Sequence, residues 1–264
     1  MTIAPGIDPT LVTVETHDRI ALLRMNAPQR RNALCADMRH ALREAVRRAD
    51  GASTVEVIVL AGDARAFCAG GDLDSMSGME PEQARARIRD AHALPRSIHG
   101  SVKPIVAAVE GVCAGAGLAL AALCDLVVSG ERARFYTAFE KVGLMPDLGA
   151  SWSVSARIGV QAARRLFLLG GAMDASEALR SGLCDFLVPA GAAEAEAIAL
   201  AGRLARSAPG TRAAVREIFR APPASLEDAL RFEATHQPAL YLSADLHEGI
   251  AAFREKRDPV WRGE

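Results

Sequence analysis

Apolar residues fall in short blocks along most of the chain and recur at three- and four-residue spacing in its last part, so two textures follow one another. Leu11 to Val14 and Ile20 to Met25 read as a strand pair around Thr16-His17-Asp18-Arg19, and Asp37 to Asp50 carries Met38, Leu42, Ala45, Val46 and Ala49 at helical spacing. Val55 to Leu60 (Val-Glu-Val-Ile-Val-Leu) and Lys103 to Val109 (Lys-Pro-Ile-Val-Ala-Ala-Val) predict two further strands, and Asp125 to Ser129 a shorter one. Glu80 to Arg89 is a charged helical stretch. Asp174-Ala175-Ser176-Glu177 has the spacing of a capping box for a helix that stops at Gly182. Beyond Pro189 only helices are predicted: Ala192 to Arg206, Thr211 to Arg220, Ser225 to His236 and Ser243 to Arg257, separated by Pro209, Pro222-Pro223 and Pro238. The pattern predicts a mixed α/β core over residues 1–200 and a helical region over 201–264.

Two glycine-rich turns stand where predicted strands end: Phe67-Cys68-Ala69-Gly70-Gly71-Asp72 and Ala114-Gly115-Ala116-Gly117. Each can present free backbone N–H groups, and the second adds the positive end of a helix starting near Gly117. Side by side they would form an oxyanion hole, which implies chemistry at a carbonyl. Taken singly, either motif is no more than a tight turn.

Composition narrows the classes. The 264 residues are 50% hydrophobic, enough for a large core. A formal net charge of -1 argues against a nucleic-acid binder. The least charged stretch, Gly111 to Cys124, falls short of the ~20 apolar residues that a span requires. The opening Met-Thr-Ile-Ala-Pro-Gly lacks the regions of a signal peptide, so the cytoplasm is the expected compartment and no membrane partner is expected. Cys35, Cys68, Cys113, Cys124 and Cys184 form no C-x-x-C pair, and the histidines show no H-E-x-x-H spacing. No metal is expected. Cys68, inside the first turn, is either a small buried residue or a nucleophile with no histidine near it in sequence.

Other motifs fit poorly. A dinucleotide fingerprint at Gly115 would need its third glycine where Leu120 stands, and the next strand follows within less than the ~10 to 12 residues of a βαβ crossover. Gly149-Ala150-Ser151-Trp152-Ser153 lacks the last glycine of a nucleophile elbow.

The order and spacing of several segments resemble the crotonase, or enoyl-CoA hydratase/isomerase, superfamily. They are Asn26 to Leu34 (Asn-Ala-Pro-Gln-Arg-Arg-Asn-Ala-Leu), Ala66 to Leu73, Lys103 to Gly111, Phe139 to Asp147 and Phe253 to Arg257, and together they run through nearly the whole chain. The resemblance implies an α/β spiral of ββα repeats, a C-terminal helical region that packs trimers, trimers that can pair into hexamers, and a bound acyl-CoA thioester. It implies no separate cofactor, since coenzyme A enters with the substrate. By position, the oxyanion-hole amides fall on Gly71 and Ala116; the second is usually glycine in hydratases, but a backbone N–H serves from alanine as well if its φ/ψ is ordinary. Substrate contacts are implied for Arg30, Arg31 and Ala33, for Ala69, Gly70, Asp72 and Leu73, for Phe139, and for Phe253 and Lys256 reaching a neighbouring subunit. Arg30 and Arg31 equally suit a solvated basic face, beside a helix bearing Arg39, Arg43, Arg47 and Arg48. Met76, Met79, His92 and His99 follow the first turn, in a segment that often covers the acyl pocket in this family, but they read first as ordinary packing and surface residues.

The departures are informative. The two glutamates with which family hydratases activate water align with Ala119 and Phe139, neither of which accepts a proton. Glu140 is one residue away, and a one-residue offset in an extended segment turns a side chain to the other face. Asp147 matches a functional aspartate of dienoyl-CoA and ring-epoxide isomerases, and Ala138 to Asp147 looks most like the phenylacetate-pathway isomerases. The apolar neighbours Leu144, Met145, Leu148 and Trp152 would raise its pKa by desolvation; the bland alternative is a helix cap. The expected activity is enoyl-CoA double-bond isomerisation with Asp147 as proton shuttle. The alternatives are a hydratase with an unusual acid/base pair and an acyl-CoA-binding homologue without turnover.

Overall fold

A computed structural model describes residues 10–263. The chain begins with a hairpin, β1 (Val12–His17) and β2 (Ile20–Met25), followed by α1 (Ala36–Gly51). Three successive passes then each give one strand to either of two sheets and return through helices. The first is β3 (Val57–Ala61) and β4 (Ala66–Cys68) with α2 (Pro81–Ala91) and α3 (Ala93–Gly100). The second is β5 (Ile105–Val109) and β6 (Val112–Ala114) with α4 (Ala116–Leu123). The third is β7 (Leu126–Gly130) and β8 (Arg134–Tyr136) with α5 (Ala150–Ile158) and α6 (Val160–Leu169). There follow β9 (Ala172–Asp174), α7 (Ala175–Ser181), β10 (Phe186–Val188), α8 (Ala193–Ala205), α9 (Pro209–Arg220), α10 (Leu226–Tyr241) and α11 (Ala244–Glu255). The larger sheet has the order β1-β2-β3-β5-β7-β10 and is parallel except for β1; the smaller is β4-β6-β8-β9, with β9 antiparallel. This is the spiral of ββα units that the resemblance implies.

The continuous apolar runs of β3 and β5 are those of parallel strands buried on both faces. Ile58, Leu60, Ile105 and Ala107 face the main core, with Met38, Leu42 and Val46 of α1. Their alternates Val57, Val59, Val106 and Ala108 face Ala193, Ala197, Leu200 and Ala201 of α8. Helix α8 is therefore part of the core, and a boundary at residue 200 falls inside it. Pro238 does not end a helix as expected but lies within α10: it lacks only its own N–H, and its carbonyl still accepts from Leu242 N at 3.3 Å.

Ions fasten the helical region to the core. Arg212 of α9 pairs with Glu56, which also takes Arg19, and Arg216 Nε donates to Asp125 Oδ2 at 2.9 Å while its Nη2 donates to Ile98 O at 2.9 Å. Glu56 and Arg212 are 11% and 6% exposed at their side chains, whereas Arg19 is half exposed. Removing Glu56 would strand a buried guanidinium. The expected result for Glu56→Ala is a loss of about 3 kcal/mol in urea unfolding, against less than about 1 kcal/mol for Arg19→Ala.

Candidate active site

The two glycine turns meet because their strands pair. Parallel pairing of β4 with β6 brings Gly70 beside the second turn, where a methyl on Gly70 would lie 2.9 Å from Ala114 O and 3.6 Å from Ala116 N. The start of α4 packs on the end of β4 so closely that a methyl on Gly117 would overlap Cys68 O and lie 2.8 Å from Cys68 Cβ. Gly115, at φ 51 and ψ -114, takes a conformation that L side chains avoid, and Ala116 behind it does not need one. As the first residue of α4, Ala116 has an N–H outside the helix ladder, at the positive end of a helix buried on all sides. Among the described residues no backbone acceptor is recorded for the Gly71 N–H. Two free donors thus stand on adjacent turns.

The loop before α1 is sewn to the first turn. Leu34 N donates to Gly70 O at 2.7 Å and Ala69 N to Arg31 O at 2.9 Å, so Arg30, Arg31 and Ala33 border Ala69 and Gly70. Buried Asn32 organises the loop: its Oδ1 accepts from Ala27 N at 2.8 Å and its Nδ2 donates to Ala66 O at 2.9 Å. Sequence reasoning passed over Asn32, though an asparagine amid turn residues is a usual occupant of the left-handed region, where it sits at φ 57. Arg30 is 3.8 Å from Asp72, Arg31 is exposed, and Leu73 is 57% exposed. The expected basic face is only partly solvated, since Arg39 is buried, donating to Leu34 O and Asp90 at 3.1 Å each. Phe253, 86% exposed, and Lys256 stand at the end of α11, and nothing within one chain brings them to the Gly71 turn.

Cys68 is no nucleophile: it is fully buried, and burial pushes its thiol up to about 12. Ala119 and Phe139 are both buried, and the Phe139 ring flanks Gly115 and leans on Phe167 at 6.2 Å. Glu140 turns elsewhere, accepting from Thr137 Oγ1 at 3.0 Å and covering Gly170. It lies in a short 3-10 turn rather than an extended segment.

Asp147 is half-buried, and its Oδ1 is buried with no hydrogen-bond partner among the described residues. It caps nothing: α5 starts from Gly149 without a side-chain cap. Burial pushes its carboxyl above the usual value, opposed by its own backbone amide and by the charges of Arg87, His92 and Arg39. Of the four apolar neighbours only Leu148 is buried; Met145 is 75% exposed. No cluster of three metal-ligating side chains occurs among the described residues, and no helix among them is long and apolar enough to cross a membrane.

Two unpaired backbone N–H groups on adjacent turns are donors of the kind that hold an enolate oxygen. Residues 15–264 match the family described as enoyl-CoA hydratase/isomerase. The chain belongs to this family. A probable enoyl-CoA hydratase of Rhodobacter capsulatus is 36% identical over 253 residues, covering 96% of this chain and 98% of the relative. The crystal structure of an enoyl-CoA hydratase from Polaromonas superposes with a TM-score of 0.90 at 34% identity, over 95% of this chain and 99% of that one. That from Bacillus anthracis gives 0.92 at 26%, over 96% and 100%. The protein is thus a crotonase-superfamily enzyme.

Two outcomes follow for this enoyl-CoA hydratase/isomerase family enzyme. Gly117→Ala forces the turns apart, so we expect a loss of about 1–3 kcal/mol in urea unfolding together with a fall in turnover larger than the stability loss explains. Asp147 has its pKa raised on folding, so the native state holds its proton more tightly and the carboxylate form is a burden as pH rises above the ordinary 3.8. Asp147→Asn should therefore be more stable than the wild type at neutral pH, by roughly 1 kcal/mol, and the gain should vanish in acid below 3.8. Paired melts across pH test this.

Proposed function

We propose that the protein is an enoyl-CoA double-bond isomerase, acting on an acyl-CoA thioester whose carbonyl oxygen is held by the N–H groups of Gly71 and Ala116. The observation that carries this reading is that Asp147 is a half-buried carboxyl whose Oδ1 has no hydrogen-bond partner among the described residues, while the positions that the resemblance aligns with the hydratase glutamates are the buried Ala119 and Phe139. A 3-enoyl thioester has an α-proton made acidic by the carbonyl. The Asp147 carboxylate removes it, the C–H electron pair moves into the C1–C2 bond and the negative charge moves to oxygen, where each donor stabilises it by roughly 3 kcal/mol. The dienolate then collapses: the oxygen charge returns, C2–C3 becomes the double bond, and C4 takes the proton back from Asp147. A carboxyl raised by burial suits both directions of transfer better than an ordinary aspartate. The apolar exposure of α10 and α11, with Leu242 84% and Phe253 86% exposed, supports assembly as trimers through these helices, with Phe253 and Lys256 serving a neighbouring site.

The relatives named above are hydratases, which keeps hydration as the second reading. The two are separated by incubating 3-enoyl- and 2-enoyl-CoA thioesters in deuterated buffer. We expect isomerisation of the 3-enoyl thioester, a rate that rises with pH as Asp147 ionises, and a loss of about 10²- to 10⁴-fold in Asp147→Asn. Hydration that survives in Asp147→Asn would overturn the proposal, and binding without α-proton exchange would mark a scaffold without turnover.

A further inference from the structure

The two candidate donors are held in unequal ways. The peptide that carries the Ala116 N–H also carries the Gly115 carbonyl, and that oxygen accepts from Ala119 N at 3.1 Å at the start of α4, so the helix fixes its own donor. The peptide that carries the Gly71 N–H lies in no helix and has glycine on both sides, with Gly70 at φ 101. A glycine–glycine peptide is the one most free to turn about its flanking bonds. Since a trans peptide is planar and its carbonyl and N–H point in opposite directions, whatever holds Gly70 O also aims the Gly71 N–H. Leu34 holds it: its N–H donates to Gly70 O at 2.7 Å, and an isolated parallel bridge pairs Leu34 with Gly71.

Leu34 is held in turn by Arg39. It precedes the Cys35 N-cap, and α1 leaves its carbonyl unused, because Met38 N donates to Cys35 Sγ at 3.5 Å instead. Arg39 Nη1 donates to that carbonyl at 3.1 Å, and Nη2 donates to Asp90 Oδ2, near the end of α2, at 3.1 Å. The Arg39 side chain is 7% exposed, and its Nε is buried with no partner among the described residues. Other inward positions of α1 are Met38, Leu42 and Val46, and a methionine at 39 would cover much the same surface with no polar atom to satisfy. Stability alone does not require an arginine here. What an apolar side chain would not supply is the hydrogen bond to Leu34 O.

We propose that Arg39, anchored by Asp90, is a positioning residue for the Gly71 donor: by holding Leu34 it keeps the Gly70–Gly71 peptide turned with its N–H toward the substrate oxygen. The assignment rests on the reading of Gly71 and Ala116 as the carbonyl donors. Isotope-edited difference infrared spectroscopy on hexanoyl-CoA labelled with carbon-13 at the thioester carbonyl, at saturating protein, reads those donors apart from turnover, since hydrogen bonds to the oxygen lower its stretching frequency. The wild type should move the band below its solution position. Arg39→Met should lose about half of that shift, the share of one of two donors, and Asp90→Ala should lose part of it. Glu56→Ala, which loosens α9 away from the turns, should keep it whole and so separates positioning from general destabilisation. An undiminished shift in Arg39→Met, or in Asp90→Ala should Arg39→Met not fold, would overturn the proposal, as would an equal loss in Glu56→Ala. A wild type that leaves the band at its solution position would instead sink the reading of Gly71 and Ala116 themselves, so the two failures are told apart.

Discussion

The constraint on which the site depends is the contact of two backbones with nothing between them. Gly117 lies against Cys68, and Gly70 against Ala114 and Ala116, at separations that leave no room for a Cβ. Parallel pairing of β4 with β6 sets the approach, and the wholly buried α4 holds its depth. The donors are main-chain amides, so their aim is set by strand register and helix position rather than by side-chain rotamers. A displacement of about 1 Å is enough to cost a hundredfold in rate at a positioned site. This also explains why alanine is acceptable at 116: the demanding conformation falls on Gly115, and the residue after it needs only to start a helix.

Against this rigid frame the site carries polar atoms that the fold does not satisfy. Asp147 Oδ1 and Arg39 Nε are buried without partners on neighbouring elements, while Arg216 and Asn32, equally buried, have their polar atoms met by carbonyls and amides. Unmet polar groups each cost about 1–3 kcal/mol. The ion pairs at Glu56 and Asp125, which tie α9 to the core, lie away from the turns and hold the scaffold that tolerates this cost.

How much was legible in the sequence follows from how each element is stabilised. Strands β2, β3 and β5 were readable because five- and six-residue apolar runs leave a pattern, and α1 because its core residues recur with helical period. The strands of the smaller sheet went unread: β4, β6, β8 and β9 have three residues each, too few for a period, and owe their existence to pairing across the sheet. Pro238 misled because proline was read as a break, whereas it removes a single donor from an exposed helix. The glycine turns were legible as turns; their adjacency was suggested by motif order and is supplied by β4–β6 pairing. Asp147 stood out because the resemblance matches it to a functional aspartate, while Ala119 and Phe139 stand where the hydratases carry glutamates. Arg39 did not, since one inward arginine beside Arg43, Arg47 and Arg48 reads as part of a solvated face.

The pairing of an apolar wall with a single carboxyl bears on what an enolate formed here can become. Hydration needs a water held near the β-carbon and a group to take its proton, and the side chains at the two hydratase positions, a methyl and a phenyl ring, offer water no hydrogen bond. On the isomerase proposal, a dienolate held by Gly71 and Ala116 takes its proton back from Asp147, the carboxyl that removed it. Burial raises the Asp147 pKa, which on that proposal favours its holding the proton for return to C4. On this view the direction of the chemistry is set as much by the loss of two water-holding side chains as by the presence of one base.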